Sequence, residues 1–217
     1  MDVVILGASG YGGGELLRLL ASHPRLRSLS CISRQHVGKP IGAVHPNLRG
    51  IVAGEFVAAP DWAALAQSDC PVLFAAMPHG EFARQLPQLE QLWQEHGLER
   101  KLTVIDLSGD FRLADAASFS RSYGGEHPCP ERLAEFVYGL SEWRRAQLLG
   151  ARRIANPGCF ATAIQLGLLP LAGLGAHAPT WVAVSAITGS SGSGASPSDT
   201  THHPTRANDF RAYKMLA

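Results

Sequence analysis

The run from Val3 to Gly14, Val-Val-Ile-Leu-Gly-Ala-Ser-Gly-Tyr-Gly-Gly-Gly, restricts the fold of this chain more than any other stretch. Its four leading apolar residues, three of them β-branched, suit a strand buried on both faces, as in a parallel sheet. Glu15 to Ala21 then sets Leu16, Leu17 and Leu20 at helical spacing. His23-Pro24 closes that helix, because the residue before a proline avoids the helical region. Leu29-Ser-Cys-Ile32 reads as a second strand, so about 32 residues make one βαβ unit. Gly7, Gly10 and Gly13 stand at GxxGxxG spacing inside it, and Gly12 adds a GxG pair. Such a loop lets a pyrophosphate approach bare backbone at a helix N-terminus, where unpaired N–H groups and the positive dipole end favour an anion. A tight turn without a ligand is the competing reading, and it needs fewer glycines.

The alternation continues. Glu55 to Ala58 reads as a strand and Trp62 to Ala66 as a short helix. Val72 to Met77 is a strand ending in Pro78-His79-Gly80. Glu81 to Glu95 is a helix with Pro87 expected to kink or divide it. Leu102 to Ile105 is a strand leading into Asp106-Leu-Ser-Gly-Asp-Phe-Arg112. This order predicts an α/β fold, a doubly wound Rossmann domain over residues 1–150. A boundary is expected near Gly150. Residues 151–217 then begin an α+β catalytic and dimerisation domain, with a strand at Arg153 to Ala155, a helix from about Cys159 to Leu169 and an alternating strand over Trp181 to Ile187.

Composition narrows the functional classes. Only 17% of the 217 residues are charged and 46% are hydrophobic, which argues against disorder. Nineteen basic against 18 acidic residues give no general case for nucleic acid. No run approaches the roughly 18 apolar residues of a membrane span. Cys31, Cys70, Cys129 and Cys159 form no CxxC pair, so no metal is expected. The N-terminus lacks a secretory pattern, and the expected compartment is the reducing cytoplasm.

Two further features carry chemistry. The second strand ends in Ser33-Arg34, with no acid between Arg27 and Glu55. A hydroxyl and a guanidinium suit the 2′-phosphate of NADP, where NAD sites place a carboxylate. Cys159 follows Asn156-Pro157-Gly158 and opens a helix, where the dipole favours a thiolate nucleophile. Cys31, inside a strand, reads as core, and Cys70 and Cys129, each before a proline, read as structural.

Taken together, Gly7-Ala-Ser-Gly-Tyr-x-Gly-Gly-Glu-Leu, Ser33-Arg34, Pro78-His79-Gly80, Asp106-Leu-Ser-x-Asp-Phe-Arg112 and Asn156-Pro-Gly-Cys159 resemble the N-acetyl-γ-glutamyl-phosphate reductases of arginine biosynthesis. That family lies within the aspartate-semialdehyde dehydrogenase superfamily. The resemblance implies NADPH-dependent reduction of a small-molecule acyl phosphate to an aldehyde, through a thioester on Cys159, with Asn156 orienting the loop or the oxyanion. It implies dinucleotide contacts from Gly7, Ser9, Gly10, Tyr11, Gly12, Gly13, Ser33, Arg34 and Pro78. It also gives the Thr188 to Gly194 run a place against the nicotinamide through Ser190 and Gly192, where composition alone reads a linker. Ser108 and Arg112 become substrate-binding candidates, Arg112 having a salt bridge to Asp106 or Asp110 as its alternative. His202 and His203 read as surface groups. The resemblance places the general base in a His-x-His segment beyond Ala217, implies a longer protein, and implies a homo-oligomer.

Two alternatives stand beside this reading. One is the equivalent aminoadipyl-phosphate reductase of lysine biosynthesis, whose substrate is one methylene longer, with its amine blocked or carried on a small acidic carrier protein; Arg206 and Arg211 are candidates to meet such a carrier. The other is a catalytically inactive NADP-binding module.

Overall fold

The computed structural model describes residues 1–175, 179–196, 198–199 and 203–210. His202 and Arg211 fall outside them. The chain divides into two compact units, Met1–Val182 and Ala183–Ala217.

The first unit is built on six parallel strands: β1 (Asp2–Leu6), β2 (Ser28–Ile32), β3 (Pro71–Ala75), β4 (Thr103–Asp106), β5 (Val137–Tyr138) and β6 (Arg153–Ala155). Their order in the sheet is β2-β1-β3-β4-β6-β5. From β1 the chain goes to one side for β2 and to the other for β3, which leaves a switch point at the carboxyl end of β1, where open α/β sheets bind ligands. The sheet runs on past Gly150: β6 pairs in parallel with β4, Ile154 standing opposite Ile105.

Helices cover both faces. Val3 and Ile5 of β1 face a core with Leu17 and Leu20 of α1 (Tyr11–Leu20), Leu48 and Phe56. Val4 and Leu6, one residue out of phase, face the opposite core with Trp62 and Leu65 of α3 (Trp62–Ala66) and Phe82 and Leu86 of α4 (Glu81–Glu95). A short helix, α2 (Ile41–Val44), precedes Leu48 on the α1 side. The remaining helices are α5 (Ala116–Tyr123), α6 (Ser141–Leu148) and α7 (Cys159–Ala172).

Three expectations need correction. Glu55 to Ala58 forms isolated bridges, Val57 to Ile32 and Phe56 to Val37, and no full strand. Pro87 does not divide α4, which runs through it for 15 residues. The proline leaves the Ala83 carbonyl without its i+4 donor, and the Cys129 thiol donates to that carbonyl at 3.4 Å. Residues 181–187 form no strand, and Trp181 and Ile187 stand 78% and 77% exposed. An alternating sequence becomes a strand only with a ladder partner, and none is present among the described residues.

In the second unit, Ser190–Ser193 forms a 3-10 turn and α8 spans His203–Arg206. Among the described residues no helix is long and apolar enough to cross a membrane.

Candidate active site

The sequence-predicted residues of the first unit gather along the carboxyl edge of the sheet, at the ends of β2, β1, β3, β4 and β6. The glycine loop sits at the end of β1. Gly7 has a φ of 76°, and a Cβ there would run into the Ala76 carbonyl after β3. A Cβ on Gly13 would strike the Ala8 backbone at 2.6 Å. These two glycines are needed by the fold itself. Gly12 differs: a Cβ there meets nothing within 4 Å, and at Gly10 only the Gly7 carbonyl at 3.6 Å. Gly10 is the N-cap of α1 and offers no side-chain cap. The Gly10 N–H donates to the Gly7 carbonyl and the first bond into that helix is Gly14 N–H to Gly10 O, so the N–H groups of Tyr11, Gly12 and Gly13 remain for another acceptor.

Ser9 and Ser33 join the loop to the end of β2 through their hydroxyls, 2.9 Å apart. Ser33 is buried, whereas Arg34 is exposed and, among the described residues, reaches only Gln85 at 3.5 Å. Its guanidinium is accessible to an anion at the β2 end. Tyr11 and Pro78 are also exposed.

The loop after β4 is a buried carboxylate network that the sequence did not announce. Asp106 is wholly buried and accepts from the Ser108 N–H and hydroxyl, both at 2.9 Å. Burial pushes its carboxyl up to about 6, and the charge of Asp110 adds to the rise. Asp110, also wholly buried, accepts from Gly80 N–H at 2.6 Å and Ala83 N–H at 3.0 Å, and so closes the N-terminus of α4. His79 meets the same carboxylate through Nδ1 at 2.7 Å, and its ring packs 4.4 Å from that of Tyr123. His127 donates from Nε2 to the Asp110 carbonyl, because its Nδ1 accepts from Cys129 N–H. Burial pushes the Cys129 thiol up to about 12.

Arg112 does not take the salt bridge to Asp106 or Asp110 considered from sequence. It forms no ion pair among the described residues. Its Nε donates to the Asn156 carbonyl at 2.8 Å and its Nη2 to the Leu107 carbonyl at 2.9 Å. Its Nη1 lies where a Cβ on Gly158 would come within 3.1 Å. Arg112 therefore ties the β4 loop to the Asn156-Pro-Gly-Cys159 loop. Backbone carbonyl acceptors leave no trace in a sequence, which is why this role was not foreseen. Ser108 also serves its own loop, its hydroxyl accepting from Asp110 N–H at 3.1 Å.

The Asn156 N–H extends the ladder to the Asp106 carbonyl at 2.8 Å, and the Asn156 side-chain amide turns back on the Pro157 carbonyl. Cys159 is the first residue of α7, after an N-cap Gly158 that offers no side-chain cap, and its thiol is exposed. Cys31, in contrast, is buried within β2, and burial pushes its thiol up to about 11. Ser190 and Gly192 lie in the turn of the second unit. Among the described residues no cluster of three His, Cys, Asp or Glu could hold a metal.

Comparison with known proteins matches this architecture to one family. The description "Semialdehyde dehydrogenase, NAD binding domain" matches residues 2–151, and "Semialdehyde dehydrogenase, dimerisation domain" matches residues 159–217. Relatives include the LysW-L-2-aminoadipate 6-phosphate reductase of Deinococcus radiodurans, 43% identical over 99% of this chain and 58% of its own length. The LysW-L-2-aminoadipate/LysW-L-glutamate phosphate reductase of Saccharolobus solfataricus is 39% identical over 98% of this chain and 57% of its own. The N-acetyl-gamma-glutamyl-phosphate reductase of Halorhodospira halophila is 43% identical over 98% and 59%. The chain thus spans somewhat more than half the length of these relatives. With residues 2–151 matched as one NAD-binding unit, the chain belongs to the semialdehyde dehydrogenase family.

Proposed function

We propose that this chain carries the dinucleotide site and the nucleophile of an NADPH-dependent acyl-phosphate reductase acting on N-acetyl-γ-glutamyl phosphate. The observation that carries the reading is Cys159, exposed at the uncapped start of α7, on the same sheet edge as the uncapped, glycine-lined start of α1.

The residues present fit a dinucleotide, since the space beside Gly12 is filled by no part of the described chain and that beside Gly10 is bounded by the Gly7 carbonyl alone among the described residues. Gly7, Ser9, Gly10, Tyr11, Gly12 and Gly13 would hold the pyrophosphate, Ser33 and the exposed Arg34 the 2′-phosphate, and Pro78 the nicotinamide half; Ser190 and Gly192 of the second unit are assigned to the nicotinamide by the family resemblance alone. When bound, the dinucleotide supplies the hydride. Cys159 does the covalent work: its sulfur attacks the acyl carbon, the carbon–oxygen bond to phosphate breaks, and a thioester forms. After reduction the tetrahedral adduct collapses, the carbon–sulfur bond breaks, and thiolate and semialdehyde separate. A thiolate is both a strong nucleophile and a good leaving group near neutral pH, so one residue serves both steps. Asn156 sets the loop and stands ready to donate to the developing oxyanion. Arg112 holds that loop, keeping its Nη1 edge beside Gly158 for a substrate anion, and Ser108 orders the loop from which Arg112 reaches.

A second reading has a specific observation behind it. Relatives named for aminoadipyl and for acetylglutamyl phosphate are equally similar, at 43% identity. One methylene is worth only about 1–3 kcal/mol in a pocket, so no motif need differ between them. An acidic carrier protein is then a partner as well. The match of residues 159–217 to a dimerisation domain supports a homo-oligomer, and four free cysteines suit the cytoplasm.

The test is phosphate-dependent NADP reduction by the complete protein. N-acetylglutamate 5-semialdehyde is compared with the aminoadipate semialdehyde, free and carrier-linked. Activity with the first supports the arginine reading, and preference for the carrier-linked second moves the assignment to lysine. Inactivity with all of them, with NADPH still bound, would leave a binding module.

A further inference from the structure

His45 lies beneath the glycine loop and belongs to none of the motifs above. It is 7% exposed and follows α2, its N–H bonded to the Ile41 carbonyl. Its ring packs at 6.1 Å from that of Phe56. Nε2 lies 2.9 Å from the Ala8 carbonyl oxygen. A carbonyl only accepts, so Nε2 carries the proton and donates it. The opposite edge of the ring abuts α1, where a Cβ on Gly14 would come 2.7 Å from Nδ1. This contact accounts for Gly14, the fifth glycine of the loop, which a pyrophosphate does not require.

We infer that His45 is a positioning residue for dinucleotide binding, which turns the Ala8–Ser9 peptide so that the Ser9 N–H faces the open start of α1. No peptide bond among the described residues is cis, and in a planar trans peptide the C=O and the following N–H point opposite ways. The Ala8 carbonyl is held inward by His45, so the Ser9 N–H points outward, away from the core. No described group accepts from that N–H. The other end of Ala8 is fixed as well, its N–H bonded to the Ile32 carbonyl at 3.0 Å. Without the His45 donor, the Ala8–Ser9 peptide is free to rotate and the Ser9 N–H loses its aim. The inference rests on the dinucleotide reading above and adds to it a residue 37 positions away from the loop it orients.

The experiment titrates the complete protein with NADPH and with 2′-AMP, which carries the 2′-phosphate but no pyrophosphate. Wild type is compared with His45→Leu, His45→Gln and His45→Asn. His45→Leu is expected to weaken NADPH about tenfold, the upper range of one net hydrogen bond, with 2′-AMP unchanged within about twofold. The Gln amide nitrogen reaches the place of Nε2 and should restore NADPH affinity. The Asn nitrogen reaches only the place of Nδ1 and should not. The Gln–Asn contrast stands even if His45→Leu fails to fold. Equal losses for NADPH and 2′-AMP, or equal behaviour of Gln and Asn, would overturn the inference while leaving the dinucleotide site intact. A wild-type protein that binds neither ligand would overturn both.

Discussion

Three long helices begin at the carboxyl edge of the sheet, and they begin differently. The start of α4 is closed: Asp110, from the loop after β4, puts one oxygen on Gly80 N–H and the other on Ala83 N–H, with no exposure to solvent. The starts of α1 and α7 are open, each with a glycine at the N-cap and no side chain to satisfy its first N–H groups. The backbone dipole is the same in all three. At α4 the protein supplies its own anion; at α1 and α7 it leaves the positive end for something else. A helix start at a sheet edge is thus no evidence of a site until its capping is known.

Breaking the comparison at α7 should have the largest effect. Cys159→Ser is expected to lower phosphate-dependent aldehyde oxidation by at least about a thousandfold, because an alcohol at that helix start remains un-ionised. Near-normal turnover would refute the thioester mechanism. At α4, Asp110→Ala should cost about 3 kcal/mol of unfolding free energy in urea, as it strips two buried N–H groups and His79 of their acceptor.

At α1 the contrast lies within one loop. Gly7→Ala should cost about 2–3 kcal/mol, from the clash with Ala76 and its positive φ. Gly12→Ala should leave urea stability within about 0.5 kcal/mol while weakening NADPH binding. If both variants only destabilise, the loop is a turn and not a site.

Behind the closed start of α4, Asp106 predicts a pH dependence. In the fold its carboxyl keeps its proton up to about pH 6, and unfolded it releases it near 4. The native state therefore binds more protons in this window, and stability should fall by about 2 kcal/mol as pH rises from 4 to 6, then level off. Asp106→Asn should remove that fall in thermal melts from pH 4 to 7. The smallest effect is expected at the end of β2, where Arg34→Glu should weaken NADP about tenfold and NAD far less. Equal losses would take Arg34 out of the 2′-phosphate site.

Much of this was legible from residue order. The β-branched run and the three spaced glycines forecast β1, the loop and α1, because a buried parallel strand and a close backbone approach each restrict composition strongly. Asn156-Pro157-Gly158 likewise forecast Cys159 at a helix start. Pro87 misled because the penalty of a proline depends on whether a distant donor replaces the missing hydrogen bond, and Cys129 supplies one. The Trp181 to Ile187 alternation misled for the opposite reason, since a period of two states what a strand would bury and not whether a partner exists.

By itself the sequence determined the α/β class, the placement of its glycine loop and the position of Cys159 at a helix start, because each follows from steric and dipolar rules acting over a few neighbouring residues. Only the tertiary structure decided which helix starts stay open, which glycines serve the fold and which leave room, and that Arg112 and His45 spend their donors on loop carbonyls. Those outcomes depend on groups tens of residues apart meeting within about 3 Å, a proximity that composition and spacing do not encode.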